Sequence, residues 1–161
     1  MPEEPDIVQW ISTVALQQDT ITIIMSVSRI EDWLQSVLKS AMIDLSSKLE
    51  DRLFRGYGPL NTFSGKIDIA YALSMFDQTT YNDLRALKDI RNAFAHARDM
   101  LHFSSPELTP LFQKLSGWSV AADPATLFTE RVHACVDTLK VPLDKRALIE
   151  ALLSSSSKKS D

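Results

Sequence analysis

Residues 80–101 read TYNDLRALKDIRNAFAHARDML, and the spacing within them decides the fold. Leu84, Leu87, Ile90, Phe94, Ala97 and Leu101 recur at steps of three or four, the period of a helix that turns one face to a core. The pattern predicts a helix from Thr80 to about Leu101, with Thr80 and Asp83 as a capping pair. At about 100° per residue, Asn92 and His96 share a face roughly opposite that stripe, and Arg91 lies on the flank. A permanent cation, a carboxamide and an imidazole on one rigid helix make Arg91, Asn92 and His96 the candidate site. Ala93, Ala95 and Ala97 keep the surface around His96 open to close approach by a ligand or another chain. Polar residues opposite an apolar stripe are also what any solvent-facing helix carries. Arg91 and His96 are about 140° apart around the helix, so a second copy supplying a partner would let them act together. That offset predicts a homodimer.

The same period extends outward from this helix. From Thr20 to about Leu45, Ile23, Val27, Ile30, Leu34, Val37, Ala41 and Leu45 form a second stripe, expected to be the long central helix. Met1 to Pro5 reads as a loose lead-in, followed by a short helix from Asp6 to about Leu16. Gly56-Tyr57-Gly58-Pro59 breaks the chain. Ser64 then caps a helix with Ile67, Ala70, Tyr71, Leu73 and Ser74 that ends near Phe76. Ser104, Pro106 and Glu107 open a helix ending near Gly117. Asp123-Pro124 starts another, to about Leu139, and Leu143 to Leu153 is a short last one. No strand pairing, repeat or linker is visible. The expectation is an all-α, single-domain bundle over residues 1–153, with a disordered tail at 154–161 that has nothing to bury.

Bulk properties narrow the function. The 161 residues are 45% hydrophobic, enough for one sizeable core. A net charge of -4 argues against a protein that coats DNA by backbone electrostatics. Locally, Arg85, Lys88, Arg91 and Arg98 outweigh Asp89, a balance that suits a phosphate. The apolar run from Ile21 to Val27 soon meets Arg29, Glu31 and Asp32, too early to span a membrane. The single cysteine cannot form an internal disulfide, so a reducing, cytoplasmic location is expected.

Other signals carry less. Gly58 to Lys66 imitates a phosphate-binding loop, but six residues instead of four separate the glycines, and Ile67 stands where a metal-binding hydroxyl belongs. His133 and Cys135, two apart on a helix, face opposite ways and have no second pair, so no metal or other cofactor is expected. Trp10, Trp33 and Trp118 sit among apolar residues and read as core. Glu31 is either part of a solvated face or the buried partner of a cation on a neighbouring helix.

The string Arg91-Asn92-x-x-x-His96 resembles the signature of the HEPN superfamily, small all-α domains that place this motif on a bundle helix, typically paired across a homodimer. A longer stretch, about 20–115, resembles the mannitol operon repressor family. It comprises the long helix with Glu31, Gly58-Pro59-Leu60, Phe63-Ser64-x-Lys66-Ile67, Tyr81-x-Asp83-Leu84 and Ile90-Arg91-Asn92-x-Phe94-Ala95-His96. The repressor resemblance implies a regulatory protein acting through protein contacts; nothing resembles a helix-turn-helix or a basic arm, so direct sequence-specific DNA binding is not expected. The HEPN resemblance implies a different class, a metal-independent endoribonuclease. There His96 would move the proton of the RNA 2′-hydroxyl, Arg91 would stabilise the phosphorane, and Asn92 would orient either. The implied partners are a second copy, a regulator or a nucleotidyltransferase antitoxin, and RNA in the nuclease case.

Overall fold

The stripe read along the first long segment is buried, with Ile23, Val27, Ile30, Leu34 and Val37 fully enclosed. The helix that carries it, α1, spans Ile7–Ser40 in a computed structural model that describes residues 7–157. Met1 to Pro5 and the Asp6 cap lie outside the described residues, as does the Trp10 side chain. The expected break before Thr20 does not occur. Gln17, Gln18 and Asp19 include no glycine or proline, so nothing interrupts the hydrogen-bond ladder there. The helix also stops earlier than Leu45. The Ser40 hydroxyl donates to the Val37 carbonyl at 2.8 Å, and Ala41 N–H donates to Val37 and Leu38, a tightened last turn that leaves Ala41 exposed.

A short helix that the apolar pattern does not announce, α2 (Ser47–Phe54), follows. Ser46 caps it by accepting the Leu49 N–H, and Lys39 of α1 pairs with Glu50. The Gly56 to Pro59 stretch is the expected turn, with Gly56 at φ +57°. Gly58 is packed so closely on the Arg52 and Leu53 carbonyls that a Cβ would lie within 2.5 Å of backbone oxygen. Helix α3 (Phe63–Ala72) is capped by Thr62, two residues before the expected cap Ser64, through the Gly65 N–H. It ends before Phe76 because Ser74 adopts φ +57°, which reverses the chain.

Helix α4 (Gln78–His96) buries Leu84, Leu87, Ile90 and Phe94, as the spacing predicts. Its cap is Asp77, which accepts from Thr80 N–H at 2.8 Å. That bond holds the Asp77 carboxyl below its usual range. The helix also ends at His96, short of Leu101. Ala97 turns extended, with ψ 134°, and Phe103 N–H donates across 84 residues to Asp19 of α1 at 3.2 Å. Leu101 still packs on the core, from a loop.

Prolines split the next expected helix. A 3-10 turn at Pro106–Leu108 runs into a single α turn, α5 (Thr109–Phe112), and the chain reverses at Gly117, φ +79°. The two expected C-terminal helices are one, α6 (Pro124–Ser157), capped by Asp123 through Thr126. The lost N–H of Pro142 does not interrupt it, and it continues past the expected tail start at Ser154; residues 158–161 lie outside the described residues. Among the described residues there is no strand, so the all-α bundle stands. α1 and α4 cross in the core and α3 and α6 pack on both of them. No helix among the described residues is long and apolar enough to cross a membrane.

Candidate functional site

The register of α3 places Phe63, Lys66, Ile67 and Ala70 on its buried side, so a lysine sits where apolar residues belong. On α1, Glu31 follows Val27 by one turn and lies beside the same core. These two meet. Lys66 Nζ donates to Glu31 Oε1 at 2.8 Å, with Lys66 only 5% exposed. Arg91 Nη2 of α4 approaches the other carboxylate oxygen at 3.7 Å. Three helices therefore converge on one carboxylate, which faces two cations. The Arg91 Nε is buried and has no acceptor. The trio carries an excess of one positive charge, and an unfilled donor in such surroundings is costly unless an anion reaches it.

Lys88, one turn before Arg91, extends the cationic side. Its ammonium donates to Ser64 Oγ at 3.2 Å and pairs with Asp89 at 3.1 Å. Asp89 also meets Lys114 at 3.5 Å.

Of the candidate residues, Arg91 and Asn92 are half-buried and His96 is exposed at the last position of α4. All three lie off the buried stripe, as read from the sequence. Among the described residues no hydrogen bond or ion pair links Arg91, Asn92 and His96 to one another. Within one chain the arginine is committed to Glu31. Glu31 thus takes the second of its two sequence readings, the partner of cations on neighbouring helices. Lys66 is not singled out from the sequence as the partner of Glu31; the usable signal is its position in the apolar register of α3, since a lysine there needs a carboxylate.

A second polar cluster went unread. Asp83, expected as a capping residue, is 2% exposed and accepts from Ser116 N–H at 2.7 Å and Ser116 Oγ at 2.6 Å. Arg131 Nη1 of α6 donates to Ser116 Oγ at 2.9 Å and stands 4.0 Å from the Asp83 carboxylate. Nearby Cys135 is buried, and that burial, followed by the Asp83 charge, pushes its thiol up to about 12. It stays protonated and unreactive at neutral pH. His133 is exposed while Cys135 is not, and no group of His, Cys, Asp and Glu suited to a metal occurs among the described residues.

A family model described as Mannitol repressor matches residues 50–138, from within α2 through the first part of α6. Lys66, Asp83, Arg91 and His96 fall inside that stretch and Glu31 outside it. No curated protein and no solved structure matches the chain.

Proposed function

Because the chain belongs to the mannitol repressor family, we propose that it is a regulatory, repressor-like protein that acts through contacts with other polypeptides. The observation that carries the mode of action is an apolar row on α1. Ile7, Ile11, Val14, Ile21 and Met25 are all exposed, from 41% at Val14 to 72% at Ile7. Their steps of four, three, seven and four trace one line along the helix, the seam of a two-stranded coil, with Gln18 as a polar position within it. An uncovered row of this length is costly in water and marks a surface that another chain covers. A seam that repeats every seven residues complements itself, which favours a second copy as its occupant. The acidic net charge supports protein contacts over phosphate-backbone binding.

The endoribonuclease reading is the weaker one, since among the described residues no hydrogen bond or ion pair joins Arg91 to His96, which is exposed at the end of α4. The test of the regulatory reading is the double variant Ile11→Asp, Ile21→Asp. Because both side chains are exposed on the single chain, its helical circular dichroism should match the parent, while its thermal melt should fall and lose its dependence on protein concentration. Light scattering should show the dimer mass fall to the monomer, and a reporter fused to the genes adjoining its own should lose regulation. Regulation that survives both charges overturns the proposal.

A further inference from the structure

We propose that the cavity between the loop after α4, α5 and the loop leading into α6 binds a neutral polyhydroxylated molecule of hexose size, a sugar or sugar alcohol. Its role as the signal for regulation rests on the reading above; binding itself does not.

The cavity measures about 470 Å³, within the range of about 300–1,000 Å³ that small-molecule sites span. Phe103, Phe112 and Trp118 form its apolar walls, and Ser104, Thr109 and Gln113 its polar ones. The division of chemistry is what points to the ligand. Aromatic faces carry negative charge density and accept the weakly positive C–H groups that line a sugar or a hexitol. Hydroxyl and carboxamide side chains both donate and accept, as the ligand's hydroxyls do. Thr109 and Gln113 are one turn apart and so present their polar ends on one side.

Charge decides between a free and a phosphorylated ligand. Two other cavities, of about 330 and 480 Å³, include Arg98 with Asp99 and Arg85 with Asp89 and Lys114. The lining of this one includes no ionisable side chain. A phosphate enclosed here would lose water without gaining a counter-charge.

The walls are also held in place before any ligand arrives. The Phe103 ring stands 6.3 Å from Phe112 and 5.4 Å from Phe128, in tilted contacts. Phe103 N–H is fixed by Asp19, and Ser104 Oγ is hydrogen-bonded to His102 Nδ1 at 2.6 Å. Gly117, at φ +79°, makes the reversal that returns Trp118 to the cavity, and Trp118 N–H closes the turn on Leu115. Val120, 99% exposed, sits in the loop at its rim.

Calorimetric titration of the full chain with mannitol, glucitol and glucose, and with mannitol 1-phosphate as the charged control, tests this. At least one neutral compound should bind saturably, and the phosphate ester should bind at least about tenfold more weakly than the neutral compound it derives from. Gln113→Ala and Thr109→Val, both at the rim and outside the core, should each weaken binding about tenfold while the melt is unchanged. Absence of saturable binding by all three neutral compounds, tighter binding of the phosphate ester, or binding indifferent to both variants overturns the proposal. A chain that regulates its reporter but binds no polyol loses only this inference; one that binds but regulates nothing loses the regulatory reading instead.

Discussion

Two carboxylates hold α4, one buried and one half-buried, and they are built differently. Asp83 is balanced: a backbone N–H and a hydroxyl donate to it, one arginine stands behind them with its Nε buried and unpaired, and the charges cancel. Glu31 is outnumbered, with Lys66 close and Arg91 farther off, two cations on one carboxylate. Matched charges fix a structure, whereas a surplus of cations leaves a position that another anion can occupy. The first cluster ties the loop after α5 and helix α6 to α4; the second joins α1, α3 and α4 around the residue on which the sequence reading centred.

The sharpest way to break this contrast is at Asp83. Asp83→Ala should cost about 3 kcal/mol in urea melts, because it strands the Ser116 N–H and the Arg131 charge in the interior. A loss below about 1 kcal/mol would show that water replaces the carboxylate and that the cluster is not a structural lock. Glu31→Gln should cost less, about 2 kcal/mol, since its side chain is 21% exposed and water can partly serve the cations. Pairing it with Lys66→Met should recover most of that loss, a coupling that a double-mutant cycle reads directly. Full additivity of the two would mean that Lys66 and Glu31 act independently.

Smaller effects lie at the helix ends. Asp77 and Asp123 have depressed carboxyl pKa values because each caps a helix, Asp77 accepting chiefly from the Thr80 N–H and Asp123 from the Thr126 hydroxyl and then its N–H. A depressed folded-state value means the stabilisation is present above the ordinary value of 3.8 and is lost as pH falls through the folded one. Asp77→Asn should therefore flatten the acid limb of a melting-temperature profile below about pH 4 and change little at pH 7. Smallest of all, His96→Ala should leave stability within about 0.5 kcal/mol of the parent, as an exposed residue off the core stripe. The same variant separates the functional readings: if the parent cuts single-stranded RNA in a chelator and His96→Ala does not, the motif is catalytic after all.

Much of the architecture was legible. The stripes of α1 and α4 come from local spacing, and Ile23, Val27, Ile30, Leu84, Leu87 and Phe94 are buried where the period places them. Helix ends were not, because distant contacts or local caps set them: Ser40 folding back on Val37, Asp77 capping in place of Thr80, Phe103 pulled to Asp19. Helix α2 escaped because Ser47–Phe54 is largely polar and only Phe54 is buried, too few apolar residues to show a period. The site was half legible. Arg91 stood out by its neighbours and Glu31 as a charge in a long helix, but which cation a carboxylate meets depends on how helices cross, and a linear pattern does not contain that.

The bond from Phe103 to Asp19 also bears on the order of events during folding. It joins residues 84 apart, whereas Glu31 meets Lys66 across 35 and Asp83 meets Ser116 across 33. Closing the longer loop costs more chain entropy and is repaid only after the helices between have docked. On a chain leaving the ribosome, Asp19 has no partner until Phe103 has emerged. Asp19→Ala should accordingly speed unfolding and leave the folding rate unchanged, the signature of a contact made after the transition state. The Phe103 wall of the cavity between α5 and the loop into α6 is then set late.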